Sequence, residues 1–296
     1  MASAQRLVRS ITTFTRANNL FDRYKREAPQ VVREAKVEEN KAVQKLKKAW
    51  EIASNKYGVD RTSFYRTTKS ILNSAHAVIK DLKYSAKDVE MFSLALAEFQ
   101  DEKYFAERAG IFLSVLINNG QDESYLVHTF HLGQEIEHFG YENKKNVIVN
   151  GDGGRNSFKE MKSGAVTING NGGWHVGDAM SGGTLIIKGD ADEGVAYLMS
   201  GGRITVEGNA SIAAGAHMSG GVLIVRGDIG YESGACMTGG RIEVYGNADQ
   251  LIGYAATGGE IHLHGLYRSI SPHPFEGNVK IFHKEKLIHP RVENVS

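Results

Sequence analysis

The sequence predicts an α+β protein in two parts, an α-helical N-terminal module followed by a parallel β-helix. Three observations predict this. Few of the 34 glycines precede residue 120, whereas from about residue 145 they recur at a fixed interval. Apolar residues follow helical spacing in the first part, and they alternate with polar residues in the second, as in strands. We expect a helical module over 1–120, a connector over 121–144, the β-helix over 145–269 and a C-terminal cap or tail over 270–296.

Apolar residues at helical spacing mark four segments in the N-terminal module. Their apolar residues are Val43, Leu46, Trp50 and Ala53, then Ile71, Leu72, Ala75, Val78, Ile79 and Leu82, then Val89, Phe92, Leu96 and Phe99, then Phe105, Ala109, Phe112 and Leu116. Ser85 and Asp88 resemble a capping box that opens the third segment, although Asp replaces the usual Glu or Gln. The fourth segment, about 103–118, is predicted to end before Gly120.

The β-helix prediction rests on one strict period of nineteen residues. The doubled glycines are Gly182 and Gly183, Gly201 and Gly202, Gly220 and Gly221, Gly239 and Gly240, and Gly258 and Gly259. The same step separates Met161, Met180, Met199, Met218 and Met237. Such repetition predicts a solenoid, in which each repeat is one coil that buries its apolar residues by stacking on its neighbours.

The residues between the glycines indicate which solenoid this is. Each repeat holds an alternating apolar pair: Val147/Val149, Val166/Ile168, Leu185/Ile187, Ile204/Val206, Leu223/Val225, Ile242/Val244 and Ile261/Leu263. Alternation with β-branched residues predicts one strand per coil, and nineteen residues are too few for a helix pair. Seven strands stacked at about 4.8 Å give a rod of roughly 34 Å.

Aligning the coils places equivalent residues in columns along the rod. One outward column holds Lys188, Glu207 and Arg226, so that opposite charges become neighbours. A turn column alternates acid and amide through Asp152, Asn171, Asp190, Asn209, Asp228 and Asn247, and we expect each Asn to separate two carboxylates and to offer amide donors. We expect the methionine and the doubled glycines to shape a corner of the coil.

A second outward column is apolar and predicts an interaction stripe. It holds Ile148, Ile186 and Ile224, which alternate with threonines at 167 and 205. An apolar stripe of this length on an outer face requires a cover. The helical module or another subunit is expected to lie across it.

Two segments flank the regular repeats. The connector is expected to include a strand through Tyr125 and Val127. In the tail, Val279 and Ile281 form a last strand-like pair, but Val279 follows Ile261 by eighteen residues instead of nineteen. This break predicts a cap that protects the open end of the solenoid.

The repeated phrase G-[DN]-x(9)-M-[ST]-G-G-x-[ILV]-x-[VI]-x-G, over about residues 145–265, resembles the GXGXG-motif family. That family contains the C-terminal domain of the glutamate synthase large subunit, one of the subunits of formylmethanofuran dehydrogenase and stand-alone archaeal proteins. The resemblance implies a right-handed β-helix that acts as a non-catalytic scaffold against catalytic domains or subunits. It implies no reaction, because the sequence has no counterpart of the glutaminase and flavin domains of glutamate synthase.

Three kinds of chemistry remain as alternatives. Phosphate binding by the glycine phrases is disfavoured, because strands follow the glycines and no GxxxxGK[ST] motif is present. A hydrolase would need an exposed nucleophile, commonly the serine of a GxSxG motif, and Ser233 lies one place too late for that motif. A catalytic site that pairs another serine with His217 or His262 remains an alternative. Cys236 is expected to be a buried structural thiol, and nothing in the sequence indicates a cofactor.

Metal binding has two candidate regions. The phrase HTFHLGQEIEH contains His128, His131, Glu135 and His138 but has mixed periodicity. His262 and His264 share one strand face, and His283, or another histidine of the tail, is a candidate third ligand. The alternative is that these histidines are ordinary solvated or hydrogen-bonded residues, and we predict no metal site.

Composition adds few constraints on partners. A net charge of +1 gives no argument for nucleic acid or membrane partners, and the single cysteine favours a reducing compartment, here the cytoplasm. Residues 1–21 carry Arg6, Arg9 and Arg16 and no acid, which is typical either of a transit peptide or of a basic helix that docks on a partner.

Together these observations predict a structural or assembly protein that docks protein subunits or self-associates. The alternatives are an accessory subunit of a redox or amidotransferase complex, by analogy of fold with formylmethanofuran dehydrogenase or glutamate synthase, and an independent esterase-like hydrolase.

Overall fold

A computed structural model describes residues 40–55, 64–271 and 278–289. The basic N-terminal segment and His273 lie outside the described residues. The helices are α1 (Lys41–Asn55), α2 (Phe64–Ile79), α3 (Ala86–Ala95), which continues into a 3₁₀ turn (Leu96–Phe99), and α4 (Phe105–Asn119). The strands are β1 (Ser124–His128), β2 (Asn146–Asn150), β3 (Ala165–Ile168), β4 (Thr184–Ile187), β5 (Arg203–Val206), β6 (Ser219–Val225), β7 (Thr238–Val244), β8 (Gly258–Leu263), β9 (Lys280–His283) and β10 (Lys286–His289). The prediction of a helical module followed by a parallel β-solenoid is confirmed.

The helical module packs around two large aromatic side chains. Trp50 and Phe112 are fully buried, and their rings meet edge to face at 5.6 Å. The capping box is present, because Ser85 Oγ accepts the N–H of Asp88 and an Asp88 carboxylate oxygen accepts the N–H of Ser85 at 2.8 Å. Most side chains of α4 are buried, so this helix is surrounded by the other elements instead of lying on the surface.

The strands form one sheet in chain order, and β1 to β9 are parallel. Neighbouring strands in the middle of the ladder pair with an offset of nineteen residues, as in Ile204 with Leu223. The strand expected in the connector is β1, the first strand of this ladder. The alignment of Val279 with Ile261 is wrong: Ile281 pairs with Ile261, twenty residues away, because the last coil is longer by one residue and not shorter. Strand β10 then turns back antiparallel to β9.

The side chains of the repeated methionines lie in the core. Met180 and Met199 are fully buried beside the apolar pairs of the strands. The second glycine of each pair makes room for them: Gly202 has a φ of +86°, and a Cβ on it would lie 2.8 Å from the Met180 methyl carbon and 2.8 Å from the carbonyl oxygen of Gly183. The phrase M-[ST]-G-G is therefore needed for close stacking of one coil on the next.

The column of alternating Asp and Asn forms a hydrogen-bond ladder along the rod. Oδ1 of Asp190 accepts the N–H of Asn209 at 2.7 Å, and Oδ1 of Asn209 accepts the N–H of Asp228 at 2.9 Å. The same bond recurs at each step from Asp152 to the N–H of Leu266. The expectation of amide donors is wrong, because both residue types use a side-chain oxygen and the backbone is the donor.

Each regular coil also contains a segment of alternating positive φ that the sequence did not indicate. Gly194, Ala196 and Leu198 have φ values of 76°, 60° and 55°, and the equivalent positions of the adjacent coils are also positive. Because the backbone direction alternates, the N–H of Gly194 donates to the carbonyl oxygen of Ile212 in the next coil at 2.9 Å. The N–H of Ala196 donates to the carbonyl oxygen of Val176 in the preceding coil at 3.1 Å. Through these backbone hydrogen bonds the segment links each regular coil to the coils on both sides, although it does not form a strand.

In the part of the chain that the structure describes, no helix has the length and apolar character needed to cross a membrane.

Candidate functional site

The most regular exposed surface is the outward side of strands β2 to β8, which we call the outer sheet face. Its central column is Ile148, Thr167, Ile186, Thr205, Ile224, Glu243 and His262. One flank is Asn146, Ala165, Thr184, Arg203, Val222, Arg241 and Glu260, and the other is Asn150, Asn169, Lys188, Glu207, Arg226, Tyr245 and His264. Successive strand residues point to opposite sides, so these columns share one side of the sheet while the apolar pairs fill the other.

The described residues of the helical module do not cover the interaction stripe on this face. Ile148 is 49% exposed, and Ile186 and Ile224 are partly exposed. The helices meet the ladder at its end, where α3 packs on β1. For residues 40–55 and 64–119 of the helical module, the expectation that they lie across the stripe is therefore wrong, and the other expectation, a cover by another subunit, stays a prediction.

The charges in the middle of the outer sheet face have few partners within the chain. Lys188, Glu207 and Arg226 are neighbours in their column, as expected, but no ion pair within 4.0 Å joins these three described residues. Arg226 lies instead over the ring of Tyr245, 4.6 Å from its centroid. On the opposite flank Arg203 is exposed, and it forms no ion pair within the described ranges. The centre of this face thus presents free charges of both signs beside an apolar stripe.

The C-terminal part of the face is different, because its charges are paired within the chain. Arg241 binds Glu243 at 2.8 Å and lies 3.8 Å from Glu260. Glu260 also lies 3.3 Å from His262 and 4.0 Å from Lys280. This cluster ends the apolar stripe.

The three histidines near the C-terminus each have a separate contact. His262 stacks on Phe282 with ring centroids 4.4 Å apart, and His264 stacks on Tyr245 at 4.6 Å. The Nε2 of His283 lies 3.0 Å from a backbone carbonyl oxygen. His264 and His283 correspond to the alternative of ordinary surface histidines with local contacts, whereas His262 is buried.

The histidines of HTFHLGQEIEH also have contacts or surroundings of their own. The Nε2 of His128 lies 3.7 Å from Glu90, while Glu135 is exposed to solvent. Burial lowers the pKa of His131, and burial together with nearby cations lowers the pKa of His138 to about 4. Within the described ranges, no group of three or more His, Cys, Asp or Glu side chains is placed to hold a metal ion.

The hydrolase candidates have structural roles. Ser233 is buried, and its hydroxyl donates to the carbonyl oxygen of Gly230 at 2.8 Å, which fixes the turn. His217 is exposed and packs edge to face on Tyr197 at 5.2 Å. Cys236 is half-buried with a φ of 53°, so the expectation of a buried thiol is wrong.

A cavity of about 400 Å³ lies where α2 meets the first coils. Its walls include His76 of α2 and Tyr141, Lys159 and Glu160 of the coils. The Tyr141 hydroxyl lies 3.2 Å from a Glu160 carboxylate oxygen, and Lys159 binds Asp178 at 2.6 Å. Because these polar groups already interact within the chain, the lining favours no particular ligand class.

Comparison with protein-family models and with curated proteins found no match.

Proposed function

We propose that this protein is a non-catalytic assembly scaffold, and that it packs against another protein subunit through the outer sheet face. The observation that carries the proposal is the stripe of Ile148, Ile186 and Ile224, which no described helix covers, with charges of both signs beside it that form no ion pair among the described residues. An uncovered apolar stripe with a polar rim is typical of a protein interaction surface.

The rest of the coil supports a rigid structural role. The repeated residues are engaged in stacking: the methionines fill the core, the doubled glycines allow close approach, and the Asp and Asn residues bind the next coil. A rod with hydrogen bonds between coils on several sides loses little conformational freedom when a partner binds. Such a surface is well suited to hold subunits at a fixed spacing.

The test is site-specific photo-crosslinking of the full chain in its native cells. A photoreactive amino acid replaces Ile186 on the outer sheet face or, as a matched control, Ile212, which is 44% exposed but lies outside that face. We expect a discrete crosslinked product from position 186 and none from position 212. No product from position 186, or equal products from both positions, would contradict the proposal.

A further inference from the structure

We propose that the partner on the outer sheet face is a second copy of this chain, packed face to face in parallel register about a twofold axis along the rod. This inference rests on the proposed function and specifies its partner. The arrangement of charge within single strands of the face supports this partner.

Strand β5 and the residue after it carry opposite charges at their two ends. Arg203 and Glu207 both point outward, with Thr205 midway between them, and both are exposed. Four residues of strand separate their Cα atoms by about 13 Å. They are too far apart to pair within the chain, and neither forms an ion pair within the part of the chain that the structure describes.

A twofold axis along the central column brings the opposite charges of two copies together. The axis exchanges the two flanks within each row, so Arg203 of one copy faces Glu207 of the other, and the reverse contact forms at the same time. Thr205 faces its own copy between the two pairs. An isologous interface requires a patch that is complementary to itself, which this row provides.

The outward residues of the other strands are compatible with the same axis. The isoleucines of the stripe meet their own copies, which buries the apolar column. Lys188 faces Thr184 and Arg226 faces Val222, so the unpaired cations do not meet like charges. Glu243 is the one acidic residue of the central column, and it would face Glu243 of the other copy. Its charge is paired with Arg241 of its own chain.

An antiparallel arrangement fits less well. If the axis runs along the strands between β4 and β5, Lys188 faces Glu207 of the other copy, but Ile148 then faces Glu243. The other isoleucines of the stripe then face threonines, Ile186 against Thr205 and Ile224 against Thr167, so that no isoleucine of the stripe meets another apolar side chain. Parallel register is therefore preferred.

The size of the face predicts a weak dimer. Seven strands at about 4.8 Å and a width of about 13 Å give roughly 400 Å² on each copy. The two copies together therefore bury about 800 Å², which is less than a standard specific interface and falls among weak, transient complexes. We therefore expect association that varies with protein concentration.

The test is charge reversal with sedimentation velocity on the full chain over a concentration series. We expect Arg203→Glu alone and Glu207→Arg alone each to weaken dimerisation about tenfold or more, because each places like charges in both symmetric contacts. The double variant Arg203→Glu/Glu207→Arg restores the dimer, and an equimolar mixture of the two single variants forms a heterodimer. Both residues are exposed, so unchanged circular dichroism spectra serve as the folding control.

Four other results would overturn the inference. A dimer that resists Arg203→Glu but is lost in both Glu207→Arg and the double variant would indicate antiparallel register through Lys188. A chain that is monomeric at every concentration, or a dimer unaffected by every variant, would exclude this partner or this face. Crosslinking at position 186 to a different protein would leave the scaffold function standing while overturning the second copy as partner.

Discussion

Replacing Gly202 with alanine tests whether the doubled glycines are there for close stacking of the coils. The residue has a φ of +86°, a conformation that costs an L-residue about 1–2 kcal/mol. The new Cβ would also lie 2.8 Å from the Gly183 carbonyl oxygen and 2.9 Å from the Gly182 carbonyl carbon. Because these are backbone atoms of the preceding coil, the coils must separate, and overpacking of this kind costs about 1–3 kcal/mol more.

The expected total is a loss of about 2–5 kcal/mol in the free energy of unfolding. Urea unfolding followed by circular dichroism measures it, and with a slope of about 2–3 kcal/mol per molar the midpoint falls by about 1–2 M. Gly133→Ala is the matched control, because its φ is ordinary and the new Cβ meets only the end of the Gln100 side chain at 3.3 Å. Equal midpoints for the two variants would refute the stacking argument.

Two further predictions concern the hydrogen-bond ladder and one buried titrating group. Asp190→Ala removes the acceptor of the Asn209 N–H and should lower the free energy of unfolding by about 0.5–1.5 kcal/mol. Asp190→Asn keeps the acceptor oxygen and should lower it clearly less. Equal melting temperatures for the two variants would argue against the ladder. The pKa of His138 is about 4 in the folded chain and near 6.5 when unfolded, so the unfolded state binds more protons between these values. Stability is therefore fully retained above pH 6.5 and lost as the pH falls toward 4, by about 2–3 kcal/mol at pH 4.5 from this group. His138→Asn, which suits the φ of 60°, should remove that part of the pH dependence of the urea midpoint; an unchanged pH dependence would show that another group is responsible.

The regular part of the fold could be predicted from the sequence because its period is strict. Inward residues such as Ile204 and Val206 alternate with outward ones, and a nineteen-residue step aligns each strand with the next. The capping box at Ser85 was also predictable, because its two hydrogen bonds depend on residues three apart. These features depend on local pattern and repetition.

Features that depend on three-dimensional packing were missed or wrong. Ala196 and Leu198 adopt positive φ although neither residue favours it, because bonds to the neighbouring coils impose that conformation. The last coil has no repeat phrase, so no local pattern determines that Ile281 and not Val279 lies opposite Ile261. The position of the helical module could not be read from amphipathic patterns, which show that a face is buried and not what it contacts.

The candidate surface was predictable only in part. The column of Ile148, Ile186 and Ile224 followed from the period, but its exposure depended on where the helices pack. Only the distances between charged groups in the structure show that Arg203 and Glu207 form no ion pair among the described residues.

The most direct test of the central claim is the solution mass of the intact chain and of two matched variants by sedimentation equilibrium. Ile186→Asp places a charge in the outer sheet face, and Ile212→Asp places one at a similarly apolar exposed site elsewhere. We expect a concentration-dependent dimer for the unmodified chain and for Ile212→Asp, and a monomer for Ile186→Asp. A dimer that survives Ile186→Asp but is lost in Ile212→Asp would contradict it.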